Sequence, residues 1–162
     1  GQIELSVPTP GWNDPRITGD WGDRSATWWQ DQHPLGLVRL SHVTLACRDL
    51  ARGLDVFEWA LGGTVLDRGD AHAYVLVGDD TIVHLAVPTD DRSALALDLA
   101  ANGELPHQAT WLVRDLGQAE AHALSCGASL LEKSEDTILL DPATTFGSRL
   151  AFTTTPPPND PR

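Results

Sequence analysis

The sequence predicts an α+β fold built from two tandem copies of one strand–helix–strand–strand–strand unit. Three observations carry that prediction. The stretch "LSHVTLACRDL" (40–50) has a counterpart in "HQATWLVRDL" (107–116), and aligning the shared Arg-Asp-Leu sets Val43 on Ala109, Leu45 on Trp111, Cys47 on Val113 and Asp49 on Asp115. Each copy runs into an apolar-periodic segment that stops at glycine, as an amphipathic helix does. Each helix is then followed by three short runs of strand character bounded by turn residues.

Taken in order, the first strand alternates: His42, Thr44 and Ala46 share one face, and Val43, Leu45 and Cys47 the other. Asp49 is placed to cap the helix "LARGLDVFEWAL", which sets Leu50, Leu54, Phe57 and Leu61 on one side and stops at Gly62-Gly63. "TVLDRG" (64–69), "HAYVLVG" (72–78) and "TIVHLAVP" (81–88) supply three strands. A linking helix in "DDRSALALDLAANG" (90–103) would be capped by Asp90 or Asp91 and ended by Asn102-Gly103. In the second unit Asp115 caps "LGQAEAHALSC", Gly127 ends it, and "ASLLEKS" (128–134), "TILLDP" (137–142) and "SRLAFTT" (148–154) follow as strands. The expected organisation is an arm over residues 1–36, a first module over 37–90, a linking helix over 91–103, a second module over 104–155 and a tail over 156–162. The arm holds four of the six tryptophans without any period, and the tail is polar, proline-rich and expected to be extended.

A net charge of −12, from 23 acidic against 11 basic residues, argues against nucleic-acid and anionic-membrane partners, which need clustered Lys and Arg. No apolar run approaches membrane-spanning length, and no signal peptide is visible. Cys47 and Cys126 make no disulfide framework; both are expected reduced and at least half buried, as in a cytoplasmic protein. The chain contains no Met, which reads as a processed product or a piece of something longer.

The doubled unit, with a ligand-type residue on its first strand, resembles the vicinal oxygen chelate superfamily: glyoxalases, epimerases, extradiol dioxygenases and bleomycin-resistance proteins. The resemblance covers about residues 38–155. It implies two modules whose mixed sheets curl as a pair of half-barrels around a cavity. It also implies a divalent metal there (Fe, Zn, Mn, Co or Ni), held by one residue from the first and last strand of each module.

Carried onto this chain, the pattern points to His42 on the first strand, and to His84, four residues before Pro88, on the fourth. On the fifth it points to Gln108, with His107 able to replace it through a one-residue bulge. The last position, usually Glu, is Ala151. The missing carboxylate would have to come from elsewhere. Glu4, in a "GQIELS" opening similar to the end of such a module, is one candidate acid/base group, and Tyr74 is another. Arg149, Thr44 and Thr110 are expected to meet substrate, Arg149 on the face of Ala151. His72 and His122 read as loop and helix-surface positions, and Asp141-Pro142 as a turn.

The resemblance implies a small-molecule ligand, and a homodimer or a place within a longer chain. The activity it implies first is that of a metal-dependent lyase or isomerase of the glyoxalase or epimerase type. The alternatives are a metal-free binding protein like those of bleomycin resistance, and one barrel of a larger dioxygenase-like protein.

Overall fold

A computed structural model describes residues 30–162. Glu4, the "GQIELS" opening and the four tryptophans of the arm lie outside the described residues. Among the described residues, eight strands form one mixed, curled and unclosed sheet: β1 (Leu37–Ala46), β2 (Thr64–Arg68), β3 (His72–Val77), β4 (Thr81–Ala86), β5 (Pro106–Val113), β6 (Leu130–Lys133), β7 (Thr137–Leu140) and β8 (Leu150–Thr153). Their order is β2-β3-β4-β1-β5-β8-β7-β6. β1 pairs parallel with β4, and β5 parallel with β8. β1 and β5 meet antiparallel at the centre. The two copies seen in the sequence are thus two halves of one sheet, joined through their first strands.

The helices form where the repeat predicts them. Asp49 accepts from the backbone N–H of Ala51 at 2.8 Å, and Asp115 accepts from that of Gln118 at 2.8 Å, so each satisfies otherwise orphaned amides at a helix start. The first-module helix is α-helical only over Leu50–Leu54 and widens into a π-helix over Asp55–Ala60. The linking helix spans Ala94–Asn102 and is capped by Ser93, whose Oγ accepts from Ala96 N at 3.1 Å; Asp90 and Asp91 lie upstream. Ser93 prevails because its extended backbone (ψ 151°) sits immediately before the first helical residue. The second-module helix runs Leu116–Ser125, and Gly127 leaves it at φ +88°.

The apolar face of each half-sheet meets its own helix. Leu50, Leu54, Val75, Val83, Leu85 and Cys47 close the first core, with Phe57 packed against it. Val113, Ala119, Ala123, Ile138 and Phe152 close the second, with Trp111 packed against it. Removing the Leu85 side chain, which has no exposed surface, would cost about 2–5 kcal/mol. Cys47 is buried as expected, whereas Cys126 is exposed because it caps the free end of its helix. No described helix is long and apolar enough to cross a membrane.

The proline-rich tail does not run off into solvent. It folds back across the first module, where Asn159 donates to Leu66 O at 2.8 Å and the Arg162 guanidinium donates to Ser41 O at 2.8 Å and to Asp80 O. Asp160, its side chain only 1% exposed, is clasped between Arg39 at 3.0 Å and Arg162 at 2.8 Å.

Candidate active site

The other face of the sheet bounds a cavity of about 690 Å³, walled in part by Leu95 of the linking helix and by Pro156, Pro157 and Pro158 of the returning tail. Strand register assembles its floor in two rungs. Tyr74, His84, Thr44 and Gln108 align across β3, β4, β1 and β5. One step along, His42, Thr110, Ala151 and Leu139 align across β1, β5, β8 and β7. Because strand side chains alternate, every member of a rung points to the same face, so residues distant in sequence converge.

The His42 and His84 rings lie 5.7 Å apart, nearly perpendicular. Tyr74 stacks flat on His84 and meets His42 edge-on at 5.4 Å. His42 Nδ1 is hydrogen-bonded to Ser41 Oγ at 3.1 Å, and His84 Nδ1 to Thr44 Oγ1 at 3.2 Å. Each imidazole is therefore oriented through Nδ1, with Nε2 left over. Burial, with the Arg162 charge nearby, lowers the His42 pKa to about 4. Burial and the neighbouring His42 and His72 lower that of His84 to about 4. Both are neutral near pH 7, the form that ligates metals or accepts protons. Burial, with Asp67 nearby, raises the Tyr74 phenol, which stays protonated and is a hydrogen-bond donor.

Gln108 faces the cavity as the alternation predicts, and its amide N–H donates to Thr110 Oγ1 at 3.2 Å, leaving its carbonyl oxygen as an acceptor. The bulge at His107 is present: Thr44 pairs with Gln108 and Leu45 with Pro106, so His107 is the unpaired residue between them. It reaches the cavity wall, but its Nδ1 is bound to Asp98 of the linking helix at 2.7 Å. Ala151 is fully buried in the floor. Among the described residues, no group of three or more His, Cys, Asp or Glu side chains is arranged to hold a metal. Asp136 touches the cavity wall, but its Oδ1 accepts from the hydroxyls of Ser134 and Thr137.

Arg149 stands immediately before β8, its carbonyl accepting from Ala109 N at 3.0 Å, and its side chain lines a cleft beside the linking helix that shares His107 and Gln108 with this cavity. Two further residues stand close behind the site without lining the cavity, and sequence patterning assigned both elsewhere. His72 opens β3 and stands two positions before Tyr74 on the same face, its ring 6.0 Å from His84 and its Nε2 3.1 Å from Asp67. That i, i+2 spacing is a signal from which it could have been found. Arg162 is the other, and nothing local in its sequence marks it.

This sheet order, with two βαβββ halves joined through β1 and β5 over a polar cavity, is the vicinal oxygen chelate fold. Solved structures of methylmalonyl-CoA epimerases share it. The Mycobacterium tuberculosis epimerase is 22% identical at a TM-score of 0.65, with 75% of this chain and 90% of that chain covered. A methylmalonyl-CoA epimerase solved with methylmalonyl-CoA and NH4+ is 22% identical at a TM-score of 0.66, covering 77% and 99%. A hypothetical protein of Bacillus halodurans C-125 is 17% identical at a TM-score of 0.64, covering 71% and 92%. No protein-family model matches the chain, and no curated protein matches it.

Proposed function

We propose that this chain is an isomerase or lyase of the epimerase type, acting on a small molecule that carries a carbonyl or two neighbouring oxygens. The observation that carries the reading is the convergence of His42 and His84 as half-buried, neutral imidazoles in one cavity, with the Gln108 carbonyl oxygen on the strand beyond. The donor set suits a first-row divalent ion, since neutral imidazole and an amide oxygen are accepted ligands for one. His42, His84 and Gln108 would hold it, and the remaining positions would fall to solvent or substrate. When bound, such an ion supplies Lewis-acid polarisation of a substrate oxygen.

The chain's own residues do the rest. Tyr74, protonated beside His84, donates a hydrogen bond to an oxygen that gains negative charge. Thr44 and Thr110, both buried in the floor, orient the substrate. The proton acceptor comes from outside the β8 position, and Glu4 is proposed for it. His107 is set aside as a ligand because its Nδ1 is committed to Asp98. A cytoplasmic homodimer, or one barrel of a longer dioxygenase-like chain, would be compatible with this reading.

One observation favours a second reading. Ala151 fills the floor where a carboxylate would complete the ligand set, which suits a metal-free binding protein of the bleomycin-resistance kind. Elemental analysis of protein purified without chelator or affinity nickel decides between them. Near-stoichiometric metal, abolished by His42→Ala and by His84→Ala, supports the enzyme. Metal-free protein with an intact fold supports the binder.

A further inference from the structure

The parallel strands β1 and β4 part at one end, and the Arg162 side chain of the returning tail stands in the fork. Their register, with Val43 beside Val83, would set Ser41 beside Thr81 and Leu40 beside Asp80, but the pairing begins only at Val43. On its other edge β1 is bulged at the same place. Leu40 pairs with Trp111 of β5 and His42 with Thr110, so Ser41 is the extra residue. Such a bulge re-aims the side chain beside it, which here is His42.

We propose that Arg162 is a positioning residue of the candidate active site, holding the β1–β4 fork so that His42 keeps its place against Tyr74 and His84. That role rests on His42 and His84 being the working pair of the reading above, and it makes the returning tail part of the site.

The guanidinium has five N–H donors, and each has an acceptor. Nε–H and one Nη2–H meet the two oxygens of Asp160 at 2.9 and 2.8 Å, a two-point grip that fixes the plane of the group. Asp160 is itself held by Arg39 of β1 at 3.0 Å, so the cation has a fixed support. The other Nη2–H donates to Ser41 O at 2.8 Å. Nη1 donates to Asp80 O and, at 3.5 Å, to Leu40 O. One planar group thus spans both sides of the gap that the β1–β4 ladder leaves open.

Ser41 passes the constraint forward. The residue is 1% exposed, so without Arg162 its carbonyl would lose a partner that water cannot replace unless the bulge opens. Its Oγ is hydrogen-bonded to His42 Nδ1 at 3.1 Å, so one residue links the guanidinium to the imidazole. The Asp80 contact acts on the other strand, just ahead of β4 and its His84. A lysine at 162 could reach one of these carbonyls but could not span the fork, because its ammonium is a single point of donation. Asn159 fastens the tail elsewhere, to Leu66 O at 2.8 Å, and is the control.

Full-length protein with labelled histidine and tyrosine rings reports the geometry through magnetisation transfer between ring protons. In the parent, His42 and His84 should each show a contact to Tyr74. In Arg162→Met the His42–Tyr74 contact should be lost and the His42 ring signals should shift. The His84–Tyr74 contact should persist, because strand register pairs those two residues directly. Arg162→Lys should weaken the His42–Tyr74 contact, and Asn159→Ala should leave it unchanged. Three results overturn the proposal: a parent-like His42–Tyr74 contact in Arg162→Met, an equal loss in Asn159→Ala, or loss of both Tyr74 contacts together, which is general loosening. If Arg162→Met does not fold, Arg162→Lys carries the test, and a parent-like contact in it overturns the proposal. Zinc ion titrated into the parent tests the metal separately: its failure to bind sinks that reading and leaves the ring contacts to decide this one.

Discussion

Tyr74 lies flat against His84, their ring centroids 4.3 Å apart and their planes within 7° of parallel. The pair is created by register, because Tyr74 on β3 stands directly opposite His84 on β4. The stack covers one face of the imidazole, while the phenol stays protonated and available as a donor.

Tyr74→Phe separates these two roles. The ring stack survives and the hydroxyl is lost, so stability should change by less than about 1 kcal/mol, and on the proposed epimerase-type function turnover should fall at least tenfold, roughly the loss of one positioned donor. Tyr74→Ala removes both and should cost about 2 kcal/mol in addition. Urea unfolding beside a turnover assay checks the split, and equal loss of both properties in Tyr74→Phe would contradict it.

The two half-buried histidines His42 and His84 make stability depend on pH in a defined direction. Their folded pKa values of about 4 lie below the ordinary 6.5, so between those points the unfolded chain binds more protons than the folded one. Stability is therefore full above pH 6.5 and is lost as pH falls toward 4. Each group contributes at most on the order of 3 kcal/mol. Urea midpoints of metal-free protein should fall across that window, and His84→Gln should flatten the slope. Asp160, held well below the ordinary carboxylate range by Arg162 and Arg39, acts only at more acid pH.

Ala151→Glu asks whether the floor of the cavity accepts a carboxylate. In the metal-free protein the larger, charged side chain should cost about 1–3 kcal/mol, because Ala151 has no exposed surface. Added zinc or manganese should then bind about tenfold or more tightly than to the parent and recover the lost stability. Calorimetric titration reads both effects. An unchanged affinity would place the metal-binding residues elsewhere.

Asp160→Asn tests the clasp on the returning tail. Arg39 and Arg162 would share a neutral partner in place of a buried carboxylate, at a cost of about 2 kcal/mol, discounted because Arg39 is partly solvated. Amide exchange over residues 156–162 should speed up. The His42 pKa should stay low, since burial is its first cause.

The repeat, the two aspartate caps, the glycine stops and the cavity-facing set of His42, Thr44, Gln108 and Thr110 were all legible in sequence. Each rests on a local rule of period two, period 3.6 or cap chemistry, which neighbouring residues express without knowing the rest of the chain. The bulge at His107 was legible only as an option, because a strand's register is decided by its partner. The linking helix started later than either aspartate would place it, since Ser93 competed for the same role.

What tertiary structure alone decided is which distant residues meet. Pairing of β3 with β4 set Tyr74 on His84. Arg149, just ahead of β8, lines a cleft that adjoins the cavity through His107 and Gln108. Folding of the tail brought Arg162 to the carbonyl of Ser41, beside His42 and 121 residues away in sequence. A one-dimensional pattern reports the face on which a side chain stands. Only the paired sheet and the returning tail determine what stands opposite it.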